Sequence, residues 1–302
     1  MEHTIPLDPN ARADNPEEDR ERHDGTHEIL HDLAYKRTMI SNVVFYGTTQ
    51  ETASRWVLID AGIPGTASVI EKAAQERFGE DGRPVAILLT HGHVDHVGAL
   101  EALAKAWNVP IYAHTDELPY LNGTAAYPPP DPRVGGGVMP SLSPLFPRHP
   151  IDVSEWLRPL PTDGSVPEMP GWRWIHTPGH TPGHVSFWRE SDRTLIAGDA
   201  FITTDQESAY AVLTQKTVMH GPPMYFTQNW EQSRNSVQTL SDLTIETAVT
   251  GHGRAMHGEA LRIALAQLAQ NFDQIAVPAN GHYTLHPTRA EDGSAYIPEP
   301  QK

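Results

Sequence analysis

Residues 86–96 read Ala86-Ile87-Leu88-Leu89-Thr90-His91-Gly92-His93-Val94-Asp95-His96. The run Pro84 to Leu89 has the pattern of a short buried strand. From Val97 to Trp107, Leu100, Leu103, Ala104 and Trp107 fall on one face of a predicted helix. Between strand and helix lies a turn with three histidines and one aspartate in six residues. Imidazole and carboxylate are the usual ligands of zinc and other first-row metals, and such a turn can converge them on a small volume. A turn that only caps a helix needs one residue of this kind. Four of them point to a metal site.

Three other predicted strands end in the same way. Trp172 to Ile175 runs into His176-Thr177-Pro178-Gly179-His180-Thr181-Pro182-Gly183-His184, where Pro and Gly fix a tight loop. Thr194 to Ala197 ends at Gly198-Asp199, and Glu246 to Val249 ends at Thr250-Gly251-His252-Gly253. In layered α/β folds the C-terminal strand ends are where ligands and catalysts gather. Four strands that each deliver His or Asp there are hard to explain as surface decoration. Further strands are expected at Ile40 to Tyr46, at Trp56 to Ile59 (followed by Asp60-Ala61-Gly62) and at Pro110 to Ala113. Helices are expected over 67–78, 229–241 and 258–275. This succession argues for α/β layering.

Residues 1–26 are polar, Pro-containing and without apolar periodicity, so they are expected to form a flexible or surface-wrapping arm. Residues 27–302, without tandem repeat or clear linker, are expected to form a single domain. Within it, residues 117–150 form a Pro-rich insertion with a glycine run at 135–137 and no regular periodicity. A loop this long in a compact domain is usually functional or disordered.

Composition narrows the function. Lys and Arg number 22 against 38 Asp and Glu, a net charge of −16. Such a surface repels phosphate backbones, and no Lys/Arg cluster is visible, so nucleic acid is not expected as a partner. No apolar run reaches the roughly 20 residues of a membrane helix, and the N-terminus lacks the pattern of a secretory signal. Cysteine is absent, which removes disulfides, thiolate ligands and thiol nucleophiles. Cytoplasmic residence is the default expectation.

Together, His91-x-His93-x-Asp95-His96, His180, Asp199 and His252 resemble the motif series of the metallo-β-lactamase superfamily, in order and spacing, over about residues 38–257. The resemblance implies an α/β (or α+β) four-layer αββα sandwich. It implies His91, His93 and His180 as ligands of one metal ion, Asp95, His96 and His252 as ligands of a second, and Asp199 as the bridge. Asp60 resembles the family's early aspartate, which supports the metal loop, and His176 and His184 would orient their loop by hydrogen bonds. Two divalent ions are expected, zinc by default, with Mn, Fe or Co also compatible. A hydroxide bridging them would attack an ester, lactone or related acyl bond of a small molecule, with Asp95 orienting it and passing a proton to the leaving group. Ile202 stands where the family's acyl-homoserine lactonases carry a Tyr, and only a short stretch follows His252 where glyoxalase-II-like enzymes carry a helical domain. The alternatives within the superfamily are a mononuclear iron oxygenase acting on persulfides and a phosphodiesterase.

The insertion is expected to cover the metal site. Tyr127, Met139 and Phe146 from it, with His220 and Tyr225 from the segment His220–Phe226, are the candidate substrate-binding residues. The competing expectation is a loop packed on the outside or against another subunit of a homo-oligomer.

Overall fold

Alternation within single strands builds the layers. In the strand Ser41–Tyr46, Val44 joins one apolar cluster while Val43 and Phe45 join another, as the two-residue strand period requires. Val57 and Ile59 side with Val44, and Leu58 sides with Val43 and Phe45. Strands buried on both faces lie between two covering layers. The computed structural model, which describes residues 3–14, 25–49, 55–80 and 82–298, shows those layers. A seven-stranded sheet runs in the order His27–Leu30, Leu33–Thr38, Ser41–Tyr46, Val57–Ile59, Ala86–Leu88, Ile111–Ala113, Leu157–Pro159. It is antiparallel up to Val57–Ile59 and parallel beyond it. A five-stranded sheet runs Trp172–His176, Val185–Arg189, Thr194–Gly198, Thr247–Thr250, Met256–His257.

Between the sheets, Tyr35, Val44, Ile59 and Leu88 meet Phe187, Ile196 and Val249. The outer face of the first sheet is covered by the helices Ala67–Phe78 and Leu100–Trp107 through Ile70, Ala73, Leu100 and Leu103. The outer face of the second is covered by Trp230–Ser241 and Gly258–Gln270 through Val237, Leu240, Leu261 and Leu265. At about 1.5–3 kcal/mol per fully buried large apolar side chain, these three clusters hold the scaffold together. The result is the expected αββα sandwich.

Several elements differ from the sequence expectation. The helix expected from Val97 is two helices, Val94–Val97 and Leu100–Trp107, parted at Gly98. There the Gly98 amide donates to Gly62 O at 2.7 Å, and a Cβ would fall 2.2 Å from Pro64 N. The loop before the first outer helix is pressed into the break. The last long helix likewise ends at Gln270 and restarts as Phe272–Ile275. The insertion is less irregular than expected, with the helices Leu118–Leu121 and Val138–Leu142 and a two-residue strand, Ala125–Ala126, paired with Ile297–Pro298.

In the N-terminal segment, Thr4–Pro6 pairs with Val218–His220, and Leu7 and Ala11 join the outer cluster of the second sheet. Residues 1–2 and 15–24 of the expected arm lie outside the described residues. Among the described residues no helix is long and apolar enough to cross a membrane.

Candidate metal centre

The ends of adjacent strands are clamped before any ligand is placed. Asp60, directly after Val57–Ile59, has a left-handed backbone (φ 61°), uncommon outside glycine. Its carboxylate accepts from Thr90 N and Thr90 Oγ1, both at 2.8 Å, and meets His96 Nδ1 at 2.9 Å. One side chain thus ties two parallel strands and aims His96. On the second sheet, His184 Nε2 accepts the Asp199 amide at 2.8 Å while its Nδ1 lies 2.8 Å from Thr177 Oγ1. Gly198 (φ 56°) is required there, because a Cβ would sit 2.6 Å from His184 Nε2.

Four of the five candidate histidines are then oriented by their other nitrogen. The Nδ1 atoms of His91, His96, His180 and His252 contact Thr90 Oγ1 (3.0 Å), Asp60 (2.9 Å), Thr227 Oγ1 (3.0 Å) and Ile40 O (2.6 Å). Their Nε2 atoms face a common space. His93 is reversed, with Nδ1 2.9 Å from His180 Nε2. Donor atoms of His91, His93 and His180 lie within 4.8 Å of one another, and so do those of Asp95, His96 and His252. Asp199 stands between the groups: Oδ2 is 3.4 Å from His180 Nε2 and 3.1 Å from His252 Nε2, and Oδ1 is 3.6 Å from His96 Nε2. Asp95 Oδ2 is 3.4 Å from His252 Nε2. Two donors bound about 2.0–2.1 Å from one tetrahedral ion are separated by roughly 3.3 Å.

The donor set fits a metal pair. His91 Nε2, His96 Nε2 and Asp199 Oδ1 are buried without a hydrogen-bond partner. Each such atom costs about 1–3 kcal/mol unless something satisfies it, and a cation satisfies all three. The space is kept open by Gly251, where a Cβ would lie 1.9 Å from Asp199 Oδ1 and 2.8 Å from His96 Cε1.

Electrostatics agree with the donor geometry in the first group, whereas, against burial, Asp199 and the neighbouring aspartates raise His96 and His252 above the usual imidazole range. Burial holds His91 and His180 well below the usual imidazole range and, against the pull of Asp95 and Asp199, pushes His93 to about 3. These are neutral imidazoles, the form that ligates. Burial would raise Asp199, but His252 and His96 hold its carboxyl well below the usual range.

Two metal loops converge on a residue that the sequence did not single out. Glu117 is fully buried. Its Oε1 accepts from Thr181 Oγ1 (2.7 Å) and Gly183 N (2.9 Å), and its Oε2 accepts from Gly92 N (2.9 Å) and the Tyr127 hydroxyl. It therefore bridges the His91–His96 turn to the loop that carries His180. An Asp-Glu pair following a strand reads as a solvated turn, and only burial exposes its role.

Of the expected substrate residues, Tyr127 lies against His93 (ring centroids 4.4 Å apart), and Phe226, the last residue of the expected segment though not singled out in it, lies on it at 4.8 Å. Phe146 borders Phe226 and Tyr225 at 6.3 and 6.4 Å. Tyr225 is buried, and burial and then the carboxylates of Asp95, Glu207 and Asp199 raise its hydroxyl well above the usual range. Met139, like Phe146, packs on the outer cluster of the second sheet, and no ring or polar contact ties it to His93 among the described residues. His220 does not line the pocket: its Nε2 meets Glu207 Oε2 at 3.1 Å and its Nδ1 donates to Gly221 O at 2.8 Å. His176 is exposed; it donates to Pro182 O at 2.8 Å and stacks on His114 at 4.2 Å, so it braces the loop from outside.

Residues 37–252 match the profile of the Metallo-beta-lactamase superfamily. Over 236 residues, 78% of this chain and 89% of the relative, the sequence is 49% identical to the probable metallo-hydrolase YflN of Bacillus subtilis (strain 168). Hydroxyacylglutathione hydrolase GloC of Haemophilus influenzae is 30% identical over 115 residues, 37% of this chain and 48% of that protein. A solved B3 metallo-beta-lactamase with an active-site glutamic acid superposes with a TM-score of 0.57 at 18% identity, covering 89% of this chain and 97% of that one, which shows a shared fold.

Proposed function

The chain belongs to the metallo-beta-lactamase superfamily, and we propose that it is a metallo-hydrolase that holds two divalent ions, zinc by default, and cleaves an ester, lactone or related acyl bond of a small molecule. The observation that carries this reading is the pair of largely buried donor groups joined by Asp199, with three atoms orphaned between them. His91, His93 and His180 would hold one ion, Asp95, His96 and His252 the other, and Asp199 both. Bound metal supplies Lewis acidity and acidifies water enough for attack near neutral pH.

The chain's own residues do the rest. The Asp95 side chain is 14% exposed against 2% for Asp199, so it reaches the space a substrate enters. It orients the attacking water and carries a proton to the leaving group. Tyr127 and Phe226 flank His93 with ring surface, which excludes water and accommodates an apolar acyl group. That wall, with the net charge of −16, favours a small organic substrate over a phosphodiester. A relative named hydroxyacylglutathione hydrolase fits the same acyl reading.

The test is a turnover screen of metal-loaded protein on lactones, aryl esters, thioesters, phosphodiesters and β-lactams, with oxygen uptake followed in parallel on persulfides. Turnover confined to acyl substrates is expected. Oxygen uptake with one iron per chain, or turnover of phosphodiesters alone, would overturn the reading.

A further inference from the structure

A cavity of about 180 Å³ opens beside His93. Its walls are mostly apolar, with Val94, Val97, Tyr127, Ile151 and Phe226 among them, and Arg148 lines the same cavity. Arg148 is half-buried. Its Nη1 donates to Tyr127 O at 2.8 Å, which fixes the plane of the guanidinium while leaving other N–H groups to donate. Arg189 and Arg254 each lie against an aspartate, but no carboxylate among the described residues lies within ion-pairing distance of Arg148. A half-buried guanidinium with an unmatched fork is built for a planar anion. In a chain of net charge −16, long-range attraction does not bring an anion here, so local hydrogen bonding must select it.

We propose that Arg148 is a specificity determinant that binds a free carboxylate on the substrate, so that the preferred substrates are small acyl compounds with an apolar body between the scissile bond and that carboxylate. This rests on the acyl-hydrolase reading of the same site and narrows it. The cavity is smaller than the roughly 300–1,000 Å³ of pockets for drug-sized ligands, so the body is a short chain or a single ring. The backbone anchor comes from Tyr127, whose ring also covers His93 and whose hydroxyl reaches Glu117. The specificity residue and the metal loops therefore share one rigid support.

The experiment uses zinc-loaded protein and two readouts. Calorimetry compares linear dicarboxylates, each against the monocarboxylate of equal length, so that binding of one carboxylate by metal is common to both. The wild type is expected to bind the best dicarboxylate about tenfold or more tightly than its monocarboxylate partner. Arg148→Ala is expected to bind both at the monocarboxylate level, and Arg148→Glu to reverse the order, with metal content unchanged. In the second readout, kcat/KM for aryl monoesters of the dicarboxylic acids should fall about tenfold or more in Arg148→Ala, while neutral aryl esters keep theirs. A wild type without dicarboxylate preference, or an Arg148→Ala variant that loses both ligand classes equally, overturns the proposal. Failure of the wild type to hydrolyse any ester would sink the acyl reading instead, and the calorimetric comparison alone would still decide whether Arg148 holds a carboxylate.

Discussion

Replacing Glu117 by Gln tests the support of the metal centre without touching a ligand. The carboxylate accepts four hydrogen bonds, from Thr181 Oγ1, Gly183 N, Gly92 N and the Tyr127 hydroxyl. A carboxamide of the same shape accepts on one oxygen only. Whichever way it turns, its NH2 group faces one hydroxyl and one backbone amide. The hydroxyl can rotate to accept, but the amide, Gly92 N or Gly183 N, cannot, and only Gly92 N keeps a second acceptor, the Tyr127 hydroxyl at 3.0 Å. One stranded buried N–H costs about 1–3 kcal/mol, and the remaining bonds lose their charge assistance. The sum is about 2–4 kcal/mol, a large share of the 5–15 kcal/mol of a typical protein. Scanning calorimetry of metal-free protein should show a Tm lower by roughly 3–6 °C. Because the stranded amide belongs to one of the two metal loops, chelator competition should also show metal affinity reduced about 10–100-fold. A Glu117→Gln variant with wild-type Tm and wild-type metal affinity would refute the idea that this carboxylate ties the loops together.

Asp95→Asn should cut turnover by about 10²–10⁴ while the ion at His91, His93 and His180 stays bound; near-normal turnover would reduce Asp95 to a turn residue. The Glu207–His220 pair gives a pH signature away from the metal ligands. Burial lowers His220, but Glu207 outweighs it and raises the imidazole from 6.5 to about 9. The folded state thus binds the proton more tightly, and the pair's contribution is complete below pH 6.5 and lost as pH rises through 9. Its size is on the order of 3 kcal/mol, measurable as the slope of unfolding free energy against pH, and His220→Gln should flatten that slope; equal slopes in variant and wild type would count against the charged pair. Single changes of Tyr127 or Phe146 to Ala should alter the ratio of kcat/KM between bulky and small substrates with metal content intact, and unchanged ratios would move the substrate wall elsewhere.

The candidate metal ligands are legible because chemistry forces such donors into short stretches. Three of the four strand ends carry a histidine cluster or a Gly-flanked histidine, and strand ends are recognisable from the apolar runs before them. The layers were legible for a similar reason, since Ser41–Tyr46 and Ala86–Leu88 are apolar on both faces. Partners distant in sequence were not. His220 reads as a pocket histidine until Glu207 is seen beside it, and Glu117 reads as surface charge until Gly92 and Gly183 point at it. The strand Leu33–Thr38 is not legible in the sequence because Lys36 and Arg37 interrupt its apolar pattern near its end. The break at Gly98 is dictated by Pro64, a contact that helical periodicity cannot register.

The central claim is that seven side chains suffice for two ions because Asp199 is shared. Elemental analysis of protein reconstituted with zinc and freed of loosely held metal tests it most directly. About two ions per chain are expected for the wild type, falling to one or none in Asp199→Ala. A wild type that retains at most one ion after full supplementation, or an Asp199→Ala variant that still holds two, would contradict it.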